Sequence, residues 1–468
     1  MAIKREIGLE QPYIPAGLFK IRIPFVHYRF EISEAIQAIF MCATCLGAIP
    51  VLQSVLGVSY EIAWSMVVIN GCLYFLHATF GDPVVPGWIT PAIPVVTAYL
   101  TGGYEDHNLR IQAMVALQID VAIIFFIMGL TGIANRLMRA IPSSIQAGIL
   151  LGAAVAAVIG EMNGRFKVYP VTIAISCLLA YFLLFSKTWQ NLRKKSAIVD
   201  RLASFGMLPA IIIGVILGPI VGEIKLPPIS LSWTDPATGR TQFLFWLPQI
   251  GQLLKEVSPL GGIGFPSVDL FIKGIPTAIA AYIIAFGDFV TSDVLLNEAD
   301  EARSDEKIDF NANRSNVISG VRNTIMALIA PYTQLCGPLW AAVTVATCQR
   351  YKDGRKAMDS IFSGVGTFRM MTAIYVAVIP IALLLKEVLP IALSITMLVQ
   401  GYACTIIAIK MCRNDTDMGI AGVMGAVLAV RGAAWGLAVG IILNIVLIVG
   451  SGTKVLGSAK SGAPDKKA

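Results

Sequence analysis

The stretch YTQLCGPLWAAVTVATCQR, residues Tyr332–Arg350, decides how the rest of the chain is interpreted. After Pro338 a short apolar run follows, and Gln349 and Arg350 end it. A helix over a run of about 11 residues is about 16 Å long, roughly half the hydrocarbon thickness of a bilayer. The sequence therefore predicts a helix that begins in the middle of a membrane, with Cys-Gly-Pro at its start.

The composition of the 468 residues is that of a helical membrane protein. Hydrophobic residues make up 56% of the chain and charged residues 14%, and the mean hydropathy is +0.73. Soluble domains carry about 25% charged residues. The net charge of +7 comes from basic residues in short loops, without a basic face that carries interleaved aromatic residues. We therefore expect a lipid bilayer, and no nucleic acid, as a partner.

The apolar segments fall into two halves of equal number. Those of the first half are 34–56, 61–79, 91–101, 111–135, 141–160, 168–186 and 205–222. Those of the second half are 268–296, 316–332, 338–348, 358–385, 388–411, 416–430 and 433–451. Because seven is odd, the second half enters the membrane from the opposite side. We predict an all-α polytopic membrane protein with 14 transmembrane segments in two inverted 7-segment repeats.

The predicted organisation has five parts. They are a cytoplasmic N-terminal segment (1–30), the first repeat (31–222), an extracytoplasmic connection (223–267), the second repeat (268–451) and a cytoplasmic tail (452–468). Basic residues concentrate in the loops that this count assigns to the side of both termini, and the positive-inside rule places that side in the cytoplasm. We expect a multi-pass protein of the plasma (inner) membrane with both termini cytoplasmic.

The third segment of each half is too short to cross a bilayer. In the first half it lies in GDPVVPGWITPAIPVVTAYLTGG, Gly81–Gly103, where recurring prolines prevent a continuous helix before about Pro91. Two short segments that open with proline, at corresponding places in two halves, indicate a transporter whose substrate binds between half-helices. Their N-termini would offer N–H donors and positive dipole ends to an anion, or to carbonyl and ring-nitrogen acceptors. The alternative is a pair of kinked helices or re-entrant loops that plug a helical bundle.

Asp288, in AYIIAFGDFVTSDVLL, follows a mostly apolar run. Thr291 and Ser292 come three and four residues later, on the same helical face. A carboxylate at this depth of a membrane segment is usually functional. We expect these three residues to hold the coupling cation, either a proton or Na⁺, with no firm metal site and no other cofactor. The alternative is a solvated carboxylate near the cytoplasmic end of its helix.

For two further polar residues within apolar segments, the sequence leaves two alternative roles each. Asp120, in VALQIDVAIIFF, is a second candidate carboxylate, or a structural partner of Arg136 or Gln118. Gln37, in EAIQAIFMC, would hydrogen-bond the substrate or bridge helices.

Several local motifs are shared with a known family. Gln37 and Pro50 repeat the spacing of a Gln-His motif and the proline that follows it, with Ala38 in place of the histidine. NANRSNVISG (Asn311–Gly320) and QLCG (Gln334–Gly337) match two other motifs, the second with leucine where that family has asparagine. In these features the chain resembles the nucleobase–ascorbate transporters, typified by bacterial uracil permeases. Their fold is shared with sulfate permeases and bicarbonate/anion exchangers.

The resemblance implies a core domain (segments 1–4 and 8–11) that moves against a gate domain (segments 5–7 and 12–14). It also implies a homodimer through the gate domains. The chain departs from the family where substrates are selected, because Ile284 stands at the place of the eighth-helix glutamate. Pro338 likewise stands where uracil permeases have an acidic residue. These departures favour an anionic or carbonyl-rich substrate over a neutral nucleobase.

The predicted function is that of a secondary active transporter which moves a small organic solute or anion by alternating access, through symport with H⁺ or Na⁺. The alternatives are a nucleobase–proton symporter and an uncoupled anion channel or exchanger. An enzyme is not expected, because GxSxG, HExxH and P-loop motifs are missing from the sequence. The residues expected to contact the substrate are Gln37, Cys45, Trp88, Thr90, Pro91, Ile93, Gln334, Cys336, Gly337, Pro338 and Trp340. Those expected to hold the coupling cation are Asp288, Thr291 and Ser292.

Overall fold

The computed structural model describes residues 5–196, 207–225 and 230–448, together with Ile3 and Val199. Within these ranges the protein is predominantly helical, and its strands form three short two-stranded sheets. The predicted all-α membrane architecture is confirmed. The predicted tail 452–468 lies outside the described residues.

The helices and strands are numbered in chain order over the described ranges. The helices are α1 Ile32–Leu46, α2 Ala48–Leu56, α3 Tyr60–Thr79, α4 Ile93–Gly103, α5 His107–Leu130, α6 Ile133–Ala140, α7 Ser143–Asn163, α8 Arg165–Val168, α9 Pro170–Phe185, α10 Lys187–Lys195, α11 Leu208–Ile220, α12 Ile250–Glu256, α13 Val268–Ala302, α14 Ala312–Ile329, α15 Ala341–Lys352, α16 Ile361–Tyr375, α17 Ile379–Met411, α18 Asp415–Arg431 and α19 Ala433–Leu447. The strands are β1 Ile14–Ala16, β2 Phe19–Ile21, β3 Gly87–Trp88, β4 Ser232–Thr234, β5 Thr241–Phe243 and β6 Cys336–Gly337.

Many of these helices are long and apolar. Among the described residues, 6 helical stretches have the length and composition to cross a membrane, or 7 if the bent pair α9–α10 forms one span. Each predicted segment overlaps at least one helix, including the two short segments of the candidate site. The protein is therefore a multi-pass membrane protein.

The boundary between the eleventh and twelfth predicted segments differs from the prediction. The sequence places a break at the polar pair Lys386–Glu387, whereas α17 continues through these positions to Met411. The break lies instead between Tyr375 and Ile379. Pro380 suits the first turn of α17, and Pro390 stays inside the helix, as prolines in membrane helices often do.

The second half-helix begins three residues later than predicted. Its start was expected at Pro338, but α15 begins at Ala341. The preceding backbone is extended, because the Trp340 N–H donates to the Val85 carbonyl at 2.6 Å. With 12 residues, α15 is about 18 Å long, so the prediction of a helix that spans about half a bilayer holds.

The N-terminal segment binds to the loops between helices. The Arg22 N–H donates to the Thr79 carbonyl at 2.8 Å, and the Arg22 guanidinium lies 3.9 Å from the centre of the Phe362 ring. Arg5 donates to the Asp305 carboxylate at 2.9 Å. These contacts connect the segment with the end of α3, the α13–α14 loop and the start of α16.

The connection between the two repeats packs on α3 and on the break before α17. Trp246 stacks on Trp64 at 5.0 Å, with 9° between the ring planes. The Trp246 N–H donates to the Ala377 carbonyl, and the Trp64 indole donates to the Val376 carbonyl, both at 2.7 Å. The connection therefore fixes the backbone where α16 and α17 meet.

Candidate functional site

The stretches that precede the two half-helices cross and pair with each other. Gly87 lies opposite Gly337 and Trp88 opposite Cys336, in the antiparallel pair β3–β6. A Cβ atom on Gly337 would lie 2.7 Å from the Trp88 carbonyl carbon, and one on Gly87 would lie 2.6 Å from the Leu339 oxygen. Glycine is therefore required on both strands, because only its lack of a side chain permits this approach. The pairing brings the starts of α4 and α15 together.

A buried arginine stabilises this strand pair by hydrogen bonds to both strands. Arg322 donates to the Gly337 carbonyl at 2.9 Å and to the Gly87 carbonyl at 3.4 Å, so one guanidinium holds both strands. Its Nη1 lies 3.1 Å from Nε2 of His77, whose Nδ1 is 2.7 Å from the Asp82 carboxylate. Asp82 thus compensates the charge of Arg322 through His77, so this buried arginine has a carboxylate in its hydrogen-bonded network.

Side-chain amides hold the second strand from the other side. Asn323 accepts from the Cys336 N–H and donates to the Cys336 carbonyl, both at 2.9 Å. Gln118 donates to Asn323 at 3.2 Å and accepts from the Tyr332 N–H at 2.8 Å. The non-helical backbone before α15 is therefore hydrogen-bonded within the protein, as membrane depth requires.

A cavity of about 830 Å³ opens beside the crossing. Its wall combines residues of α1, α3, both half-helices, α7, α13, α17 and the turn between α18 and α19. Eight of the residues predicted for substrate or cation line it. They are Cys45, Trp88, Thr90, Pro91, Ile93, Trp340, Asp288 and Thr291.

The other predicted site residues lie away from the cavity wall. Gln37 faces Met207 and Ile211 instead. Gln334 is buried and donates weakly to the Ala48 carbonyl at 3.4 Å. The hydroxyl of Ser292 donates to the main-chain carbonyl of its own helix at 2.8 Å. The remaining three residues belong to the crossing strand and the extended backbone after it; they are Cys336, Gly337 and Pro338.

Arg369 is the residue of this region that the sequence analysis does not identify. It is fully buried on α16, and among the described residues none of its nitrogen atoms has a hydrogen-bond acceptor. Its guanidinium lies 4.0 Å from the centre of the Tyr74 ring and 5.0 Å from that of the Trp340 ring. Both rings line the cavity, and so does Cys45. Arg369 is therefore a positive charge directly behind the cavity wall.

A signal for Arg369 is present in the sequence. In SGVGTFRMMTAIY it is the one charged residue of an otherwise uncharged stretch. Such residues within membrane segments are rare and mark functional sites. The sequence does not show that this arginine lacks a carboxylate partner. That property is visible only in the folded protein, and it is the one that suggests an anion site.

Asp288 lines the cavity without a protein partner. Its carboxylate forms no hydrogen bond or ion pair with another described residue. The Thr291 hydroxyl donates to the Gly287 carbonyl at 2.8 Å rather than to Asp288. Within the described part of the chain, no group of three or more His, Cys, Asp or Glu residues is arranged to hold a metal ion. Asp288 is therefore a lone carboxylate that faces the cavity.

Of the two alternatives for Asp120, the structural pair with Arg136 or Gln118 is not found among the described residues. The buried Oδ2 atom of Asp120 has no hydrogen-bond partner among the described residues, and it lies against Gly274 of α13. Gln118 binds Asn323 and Tyr332 instead.

Comparisons with known proteins find one short sequence match and several distant structural matches. No known protein-family profile matches the chain. A benzoate membrane transport protein from Acinetobacter baylyi is 36% identical over 78 residues, which is 17% of this chain and 18% of that protein. The match thus spans less than a fifth of the length of this relative.

Solved structures of similar proteins cover most of the chain. The transmembrane domain of the cyanobacterial bicarbonate transporter BicA is 14% identical, with 90% of this chain and 99% of that chain covered and a TM-score of 0.46. SLC26A9 is 13% identical, with 90% and 65% covered and a TM-score of 0.49. These relatives are transporters and not enzymes, and the resemblance to nucleobase–ascorbate transporters is not confirmed.

Proposed function

We propose that the protein is a secondary active transporter of a small organic anion that carries a carboxylate. The observation behind this proposal is Arg369, a buried guanidinium without a carboxylate partner among the described residues, behind the wall of the cavity. Burying an unpaired charge is strongly unfavourable. An anion in the cavity would offset that cost, so the site favours a negatively charged substrate.

The charges on the cavity wall support an anion as well. Glu161 and Arg165 pair with each other and contribute no net charge. Of the remaining charged groups, Arg431 and Arg369 are positive and Asp288 is negative. The sum is positive whether Asp288 is ionised or protonated. A substrate with one negative charge therefore matches the cavity better than a cation or a substrate with two carboxylates would.

The half-helix ends supply hydrogen-bond donors. Ala341, the first residue of α15, lines the cavity, and the N–H groups of a first helical turn have no acceptors within the helix. Thr90 and Pro91 bring the start of α4 to the same wall. Main-chain N–H donors and the positive end of the helix dipole suit a carboxylate.

The apolar part of the substrate would contact aromatic rings. Trp88, Trp340 and Tyr74 all line the cavity. Aromatic walls beside an anion site suit an aromatic carboxylate, and the relative from A. baylyi is named for benzoate transport. We therefore take benzoate as the first substrate to test.

Asp288 is the proposed coupling group. A lone carboxylate on the cavity wall can take up a proton from one side of the membrane and release it on the other, which would make transport a proton symport. Na⁺ stays the alternative ion. The cytoplasmic termini, the plasma (inner) membrane and the homodimer through the gate domains remain predictions, which rest on loop charge and on the family resemblance.

Uptake into proteoliposomes tests the function. We expect an inward proton gradient to drive accumulation of radiolabelled benzoate, and unlabelled benzoate to compete. Benzamide has the same shape without the charge and should compete poorly. Competition by uracil in place of carboxylates would support the nucleobase alternative. A benzoate flux that follows voltage and ignores pH and Na⁺ gradients would support the channel alternative.

A further inference from the structure

We propose a second anion subsite in the same cavity, formed by Arg165 and Arg431, which receives the carboxylate before it reaches Arg369. The proposal rests on the proposed function and adds to it a place where the substrate first binds. Both arginines line the cavity but belong to elements other than the half-helices. The charge distribution of loops assigns both to the extracytoplasmic side.

Helix packing brings the two arginines to the same region of the wall. Gly148 of α7 lies against Met424 of α18, and Gly152 lies against Leu428. From the first contact to the second, both helices advance by four residues in the same direction. The helices α7 and α18 therefore run parallel, with matching turns side by side. One turn further, Arg431 is level with Ala156, which also lines the cavity. Arg165 follows the end of α7, about 13 Å beyond that level along the helix axis. Its guanidinium binds Glu161 on the last turn of α7 and so lies back toward the level of Arg431.

Arg165 is held in a fixed orientation. Its Nε donates to the Glu161 carboxylate at 3.1 Å and to the Ser394 hydroxyl at 3.2 Å, and its Nη2 donates to the other oxygen of Glu161. Ser394 in turn donates to Glu161 at 2.5 Å. Nη1 has no acceptor among the described residues, and 33% of the side chain is exposed, compared with 3% for Glu161. Arg165 thus presents an oriented, unused pair of N–H donors to the cavity.

Arg431 supplies the net charge of the subsite. It is exposed at the end of α18, and within the described ranges no carboxylate pairs with it. Because Glu161 already neutralises Arg165, an incoming carboxylate would be attracted by Arg431 and oriented by Arg165. Fixed cationic groups in a cleft raise the local concentration of an anion and its rate of entry.

Kinetics of benzoate uptake test the subsite. In Arg431→Gln we expect KM to rise by about fivefold with kcat little changed, since attraction at the entrance raises the occupancy of the site and not the rate of the transport step. The wild-type KM should rise between low and physiological ionic strength, and the variant should lose most of this dependence. Arg165→Lys keeps the pair with Glu161 but removes the fork of donors, so we expect a rise in KM with the salt dependence retained.

Lys255→Gln is the matched control, because Lys255 is exposed on the connection between the repeats and does not line the cavity. It should have the KM and salt dependence of the wild type. If Arg431→Gln and Arg165→Lys also keep wild-type values while benzoate is transported, the subsite is refuted and the proposed function stands. If the wild-type protein takes up neither benzoate nor any other small carboxylate, the proposed function fails.

Discussion

Arg322 and Arg369 are both fully buried beside the cavity, yet their surroundings differ. Arg322 has two carbonyl acceptors on the crossing strands and reaches Asp82 through His77. Arg369 has aromatic rings, without a carboxylate. The structure therefore distinguishes two buried arginines in one region: one stabilises the backbone, and the other has no acidic partner among the described residues and is proposed to bind an anion.

This difference predicts opposite effects on stability. Arg322→Gln should lower stability by about 3 kcal/mol or more, because it removes one partner of a buried charge network and leaves carbonyls of both strands unpaired. Arg369→Gln should leave the substrate-free protein as stable as the wild type or more so, since it removes an uncompensated buried charge. Thermal unfolding in detergent without substrate measures both. Equal destabilisation by the two changes would contradict the assignment.

Replacement of the cavity carboxylate tests ion coupling. Asp288→Asn keeps the size of the side chain but cannot exchange a proton. We expect the variant to bind benzoate and to exchange internal for external benzoate at a rate similar to that of the wild type. Accumulation driven by a proton gradient should be lost. Gradient-driven uptake at the wild-type level in this variant would rule out Asp288 as the coupling group.

At the scale of elements, the crossing of β3 and β6 places both half-helices. The pair consists of two residues on each strand, and side chains of α5 and α14 hold it in place. A small displacement of one strand against the other would shift the starts of α4 and α15 relative to each other. It would also move the main-chain N–H groups that are proposed to bind the substrate.

Gly337→Ala tests the crossing. Its Cβ atom would lie 2.7 Å from main-chain atoms of Trp88, so the strands must separate. We expect a loss of about 2 kcal/mol in stability and the loss of measurable benzoate binding. Gly419→Ala on α18 is the matched control, because its Cβ would meet no atom within 4 Å. The control should bind benzoate normally and gain stability slightly. Normal binding by Gly337→Ala would show that the crossing does not position the site.

An ion pair in the α13–α14 loop should make the stability of the protein depend on pH. Hydrogen bonds from Arg303, together with Arg5, lower the pKa of Asp305 to about 2. Because this pKa lies below that of the unfolded chain, the stabilisation is present above about pH 4 and is lost as the pH falls toward 2. Asp305→Asn should therefore cost about 1 kcal/mol at neutral pH, a modest value because the pair is partly exposed. Thermal unfolding at pH 7 and at pH 2.5 checks this, and an equal deficit at both would contradict it.

At the scale of the whole molecule, local signals in the sequence predicted the arrangement of segments well. Run lengths and prolines located both half-helices, because these features act within one segment. The pairing of Gly87 with Gly337 and the late start of α15 could not be predicted. Both depend on contacts between residues far apart in the chain, and the sequence of one strand does not specify its partner.

The candidate site was predicted only in part for a similar reason. Cys45, Trp88 and Asp288 line the cavity as expected, whereas Gln37 and Gln334 point elsewhere. Gln37 lies on a mostly apolar helix, and the sequence of such a helix does not show which face meets the cavity. Gln334 lies on non-helical backbone, whose course depends on residues far away in the chain. A buried arginine is visible in a sequence, but the absence of its partner is a property of the folded protein.

The whole molecule is proposed to work by movement of the core domain against the gate domain. Arg369 and the half-helices belong to predicted core segments, whereas Arg165 and Arg431 lie in loops that connect predicted gate segments. The proposed substrate would therefore contact both predicted domains. The connection that carries Trp246 fixes the backbone at the break between α16 and α17, which the prediction places between a core and a gate segment. If the predicted domains move as proposed, this contact would restrict how far they separate on that side.

The central claim is that a carboxylate binds in the cavity because of Arg369. Calorimetric titration of the purified wild type and of Arg369→Gln, with benzoate and with benzamide, tests it most directly. We predict that the wild type binds benzoate at least about tenfold more tightly than benzamide, and that Arg369→Gln loses this preference. Equal affinity of the wild type for the two ligands, or an unchanged preference in Arg369→Gln, would contradict the account.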